Sequence, residues 1–117
     1  MVDMNLPIYH LLKDIASVEL EFPDKFSEFP VITLTEVSNP SGVIYEGQEL
    51  NSAVTYQVDV WDNGESRQEC ERIASEVSKR LIANNFTRPM SRGLKDPSGL
   101  HRKTMYFKIN IIEKGVF

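Results

Sequence analysis

The chain has 117 residues, enough for one domain with a single core. Its apolar fraction of 41% and charged fraction of 26% exclude a disordered tail and a membrane-spanning bundle, since no apolar run approaches the roughly 20 residues a bilayer requires. A net charge of −4 argues against a dedicated nucleic-acid binder while leaving room for a local basic patch.

The N-terminus, Met1 to Asn5, carries an acid and no base, which argues against a signal peptide. Asn5 is placed to cap a helix opened by Leu6 and Pro7, where the missing proline N–H is harmless. Ile8, Leu11, Leu12 and Ile15 then recur at helical spacing and predict one apolar face over about three turns. Residues 21–29 read as an irregular connector whose Phe22, Phe26 and Phe29 plug one end of the core. After Pro30, Val31–Val37 is β-branched and predicts a strand, ended by the turn Asn39-Pro40-Ser41-Gly42.

Residues 42–52 are polar at both ends but hold Val43, Ile44 and Tyr45 in a row. They form either a short added strand or a contact surface for another chain. Val54, Tyr56, Val58 and Val60 alternate with Thr55, Gln57, Asp59 and Trp61, which predicts a two-faced strand over 53–61. Asp62-Asn63-Gly64 breaks that period. Cys70, Ile73, Ala74, Val77 and Leu81 then follow at helical spacing. Ser66 and Glu69 fit a capping box, and Asn84-Asn85 a stop. Pro89 makes the basic stretch 86–93 an edge strand at best. A turn at Lys95–Gly99 leads into His101–Ile112, in which Met105, Phe107, Ile109 and Ile111 face one way. The predicted fold is α+β: an antiparallel sheet of about four strands with two helices packed mainly on one face.

Little in this pattern belongs to catalysis. His10 and His101 have no His or Cys partner three or four residues away, so no metal site is expected, and no cofactor. The six glycines are scattered singly, without a phosphate-binding loop. Asp59 and Asp62, three apart, fall on opposite strand faces and read as a polar strand end rather than a carboxylate pair. Cys70, on the apolar stripe, reads as a small buried hydrophobe in a reduced compartment. No enzyme is expected. One charge pattern is left: Arg88, Arg92, Lys95, Arg102 and Lys103 lie within sixteen residues that hold one acid, Asp96. They are either solvated bases balancing acids elsewhere or a patch that meets an acidic neighbour or a phosphate backbone. In a homo-oligomer Glu19, Glu21, Asp24 and Glu28 would supply such a neighbour, head to tail.

Taken together, these features resemble the tail completion, or tail terminator, proteins of long-tailed bacteriophages and prophages. The resemblance rests on the N-terminal helix at Leu6–Val18 and the entry Phe29-Pro30-Val31-Ile32-Thr33-Leu34. It continues in Tyr56-Gln57-Val58-Asp59-Val60-Trp61 before the helix at Ser66–Leu81, and in Asp96-Pro97-Ser98-Gly99-Leu100-His101-Arg102 before the last strand. Nearly the whole chain is covered, by soft patterns of strand, helix and turn whose joint order is the specific element. The resemblance implies a virion structural protein that forms a hexameric ring in the neck region, after assembly in the host cytoplasm. The ring would cap the head-proximal end of the tail tube, joining the major tail tube protein to the head–tail connector protein. DNA would pass through the lumen without being bound; six copies at −4 give a ring of roughly −24, which favours sliding. No catalytic residue is implied, and no membrane.

On that architecture Val43, Ile44 and Tyr45 become the first interface candidates, with Tyr45 as anchor, and Arg88 and Arg92 the second. Two alternatives stay open: another connector ring, adaptor or stopper, and a monomeric module that binds partners by strand addition at an edge near 86–93.

Overall fold

The computed structural model describes residues 5–20, 29–38, 44–45, 48–49 and 51–112. Two helices and a five-stranded mixed sheet make an α+β fold. Helix α1 spans Asn5–Leu12 and is followed by β1 (Ser17–Leu20) and β2 (Val31–Ser38). A small ribbon of β3 (Ile44–Tyr45) and β4 (Gln48–Glu49) precedes the long β5 (Asn51–Asp62). Helix α2 (Gln68–Ala83), β6 (Thr87–Lys95) and β7 (His101–Ile112) complete the described elements. The sheet order is β1-β2-β5-β7-β6, with β3 and β4 paired only to each other.

Alternation along β5 and β7 builds the core. Cross-strand rows put Leu34 beside Val58 and Met105, and Tyr56 beside Phe107, all on one face. Onto that face pack Cys70, Ile73, Ala74, Val77 and Leu81 of α2 and Ile8 and Leu12 of α1, with Phe86 closing the end. Both helices thus share one side of the sheet, as expected. Arg80 of α2 joins them, donating to the Leu11 carbonyl at 3.0 Å and pairing with Asp14.

Three expectations need correction. The sheet has a fifth strand, and it is not wholly antiparallel: β1 runs parallel to β2, in register from Ser17↔Val31 to Leu20↔Leu34. The first helix accordingly stops at Leu12 and does not reach Val18. Ile15 and Val18 stand three apart, so helical spacing continues through them. What outweighs it is the pairing of 17–20 with the backbone groups of β2, which would otherwise form the sheet edge.

The third correction concerns the start of α2. Arg67 occupies the cap position and makes no side-chain cap bond. Ser66 Oγ accepts from the Gln68 N–H at 3.3 Å, while Glu69 pairs with Arg72 instead of reaching back. The Arg67 guanidinium is engaged elsewhere, donating to the carbonyls of Leu94 (2.8 Å) and Arg102 (3.0 Å) and tying the helix start to the β6–β7 hairpin. Gly93 makes room for it: a Cβ there would lie 2.7 Å from Arg67 Nη2.

The other end of α2 follows expectation, with Asn84 as C-cap and Asn85 in the left-handed region (φ 73°). The β6–β7 turn is held by Asp96, whose carboxylate accepts from the Ser98 N–H and hydroxyl, with Gly99 at φ 93°. Among the phenylalanines assigned to the core plug, Phe29 is half-buried, and Phe22 and Phe26 lie outside the described residues.

Candidate functional site

Strand β6 is one edge of the sheet, and its composition resists further strand pairing. Pro89 offers no N–H, and the ladder with β7 shifts register between Thr87 and Met90. That irregularity separates the two predicted interface arginines. Arg88 turns to the helix side and donates to Ser78 Oγ at 3.0 Å, whereas Arg92 stands opposite Thr104 on the other face. The five-base cluster is divided further. Lys103 pairs with Glu71 at 3.0 Å, and Arg102 is bound to Asp59 and Asp96. Glu71 is held below the usual carboxylate range: burial pushes it up, but bonds and charge from Lys103 and Arg67 outweigh that. Arg88, Arg92 and Lys95 have no carboxylate partner among the described residues.

Between α2 and the β6–β7 edge runs a groove of about 570 Å³. Ala74, Ile82, Ala83 and Met105 give it an apolar floor, and Ser78, Lys79, Arg88 and the ion-paired Glu71 and Lys103 form its polar rim. Ser78 links floor and rim, accepting from Arg88 and donating to Met105 Sδ at 3.4 Å. Ile82 is 51% exposed although every residue of the helix's inward stripe is buried. It lies one position after Leu81, off the apolar stripe, and that offset is its only signal in the sequence.

The opposite face of the sheet carries a buried polar network that periodicity alone does not reveal. Asp59, fully buried, receives hydrogen bonds from Thr104 Oγ1 (2.5 Å), Gln57 Nε2 (2.8 Å) and Arg102 Nε (3.0 Å). The Arg102 guanidinium lies 4.5 Å from the centroid of Trp61, whose indole donates to Thr33 Oγ1 at 2.9 Å. Asp59 and Asp62 do fall on opposite faces, but Asp59 is no exposed strand end: it is a satisfied buried charge. The readable signal was the cross-strand coincidence of Thr33, Asp59 and Thr104 in one row.

The remaining interface candidates sit at the other end of β5. Past Ser38↔Thr55 on one side and Thr87↔Lys108 on the other, β5 and β7 continue alone for four pairs, ending at Asn51↔Ile112. This two-stranded arm has no flanking strand among the described residues. Leu50 alone separates it from β4, whose partner β3 is Ile44–Tyr45, so this segment holds a short strand that pairs with β4 and not with the five-stranded sheet. Val43 lies outside the described residues, as do Glu21, Asp24 and Glu28 of the acidic group; Glu19 is exposed on β1.

Cys70 is buried on α2, donating to the Val60 carbonyl at 3.4 Å, and burial pushes its thiol up to about 11. No described helix is long and apolar enough to cross a membrane. No protein-family model and no curated protein matches the chain. Among solved structures it is similar to the gp17 protein of bacteriophage SPP1, at 21% identity and a TM-score of 0.45, over 97% of this chain and 86% of that one. The likeness is a loose one of chain path, and nothing about function follows from it.

Proposed function

We propose that this protein is a non-enzymatic phage or prophage structural subunit, forming a ring that caps the head-proximal end of the tail tube and joins it to the head connector. The sequence resemblance supplies the family. The observation that carries the reading to this chain is the unequal distribution of contact surfaces. A two-stranded arm leaves one end of the sheet, while an apolar groove lies along the β6 edge, where Arg88 has no carboxylate partner among the described residues. Surfaces that differ in this way suit a heterologous, head-to-tail contact, the kind from which a ring is built when the rotation between copies closes.

The strand-addition alternative is disfavoured by β6 itself, since Pro89, the register shift and three bases are the devices by which edges avoid pairing. The test is an end-capping assay. Purified chain added to polymerising tail tube protein should stop growth and appear at one end of each tube in electron micrographs. Tubes of unaltered length with bare ends, and binding to a portal-side protein instead, would move the chain to the adaptor or stopper position.

A further inference from the structure

We infer that the groove between α2 and β6 receives the β3–β4 ribbon of a second copy, with Tyr45 over the apolar floor and Glu49 against Arg88. This deepens the ring reading and rests on it.

Three observations converge on that occupant. The first is the groove's unsatisfied chemistry. Ile82 is half exposed and lines the groove with Ala74 and Met105, and Arg88 has only the neutral Ser78 hydroxyl as a partner among the described residues. The two lysines of the lining are already paired, Lys79 with Glu76 at 3.7 Å and Lys103 with Glu71 at 3.0 Å, so Arg88 is the cation left for an incoming carboxylate. The site therefore asks for an apolar group with a carboxylate beside it.

The second is charge along the chain. Residues 26–66 contain seven acids and no Lys or Arg, whereas residues 67–108 contain ten bases and four acids. Groove and ribbon fall in opposite halves. The ribbon itself combines Ile44 and Tyr45 with Glu46 and Glu49, apolar and acidic together. Charge complementarity of this kind fixes the register and orientation of a contact.

The third is distance. The groove is lined by the paired Ser91 and Met105, and the arm ends at Ile112, seven residues further along β7. At ~3.3 Å per residue that is roughly 23 Å. The ribbon joins the chain at the arm's far end, so a second copy supplies it without any doubling back. The resulting contact is head to tail, as ring closure demands.

Charge reversal tests this inference. Arg88→Glu and Glu49→Arg should each weaken assembly at least tenfold, in solution or at tube ends. Mixing the two variants, or combining both changes in one chain, should restore it, because each altered groove then meets an opposite charge. Restoration also shows that both variants fold. Independently, Tyr45→Cys with Ile82→Cys should give a ladder of covalent oligomers on oxidation, and neither single change should; the buried Cys70 stays silent. If both charge variants assemble like wild type and the cysteine pair gives no ladder, the groove contact is overturned while the ring stands. If the wild-type chain assembles neither in solution nor on tubes, the ring reading falls and this inference with it.

Discussion

At the scale of single residues, the Asp59 carboxylate is a buried charge whose partners are all on the sheet. Its three donors and the stacking of Arg102 on Trp61 offset the desolvation of a charge buried in the sheet. Arg102→Ala leaves that charge without its cation and should lower unfolding stability by about 3–5 kcal/mol, read from chemical denaturation. Asp59→Asn with Arg102 retained should lower it less. Equal, sub-kilocalorie effects would mean that the network contributes nothing net.

Cys70 gives a pH prediction of definite sign. Its thiol rises from an ordinary value near 9 to about 11 in the folded state, chiefly because burial disfavours the thiolate. Between those values the unfolded chain has released a proton that the folded one keeps. Stability therefore falls as pH rises from about 9 to 11, with a limiting slope of about 1.4 kcal/mol for each pH unit. Below pH 9 the group contributes no slope. Comparison of Cys70→Ala with wild type across that range isolates it. The same burial predicts that thiol reagents label the protein only as it unfolds.

At the scale of elements, strands with sustained alternation and the helix with its five-residue apolar stripe were legible. Periods 2 and 3.6 are properties of the backbone, and β5, β7 and α2 each hold theirs for long enough to be unambiguous. Strand β1 was not. Four residues cannot establish a period, and Ile15 and Val18 satisfy helical spacing although Val18 pairs with Ile32 of the neighbouring strand. The cap of α2 was misread for a related reason: Ser66 and Glu69 have capping-box spacing, but Arg72 is a stronger partner for Glu69 than a backbone amide.

Candidate interface residues were partly legible too. Their types were visible, but faces are set by register. The shift at Thr87/Met90 sends Arg88 to the helix side and leaves Arg92 on the other, which no pattern of bases along the chain could announce. The β3–β4 ribbon was legible only as an alternative, because its strands are two residues each. If Tyr45 anchors the subunit contact, Tyr45→Ala should weaken assembly by about 1–2 kcal/mol per interface. Unchanged assembly would remove the ribbon from the contact.

At the scale of the whole molecule, a small sheet with one helix-covered face carries its two proposed contact surfaces at different places, the arm at one end and the groove along one edge. In the proposed ring each copy would use one of each, so the angle between them rather than their area would fix the number of copies. If six copies form the proposed ring, its charge of roughly −24 would repel DNA rather than bind it. Interfaces of modest area overcome association entropy only narrowly, so assembly should be concentration-dependent. If the Arg88 contact helps to hold the ring, assembly should also weaken at high salt.

The measurement that addresses the central claim most directly is solution mass by light scattering after size exclusion, at high protein concentration and at two ionic strengths, with and without tail tube protein. A hexamer of the 13.4 kDa chain, formed alone or recruited onto tube ends and loosened by salt, is the result expected. A monomer at every concentration and salt that also leaves tube ends bare would contradict it.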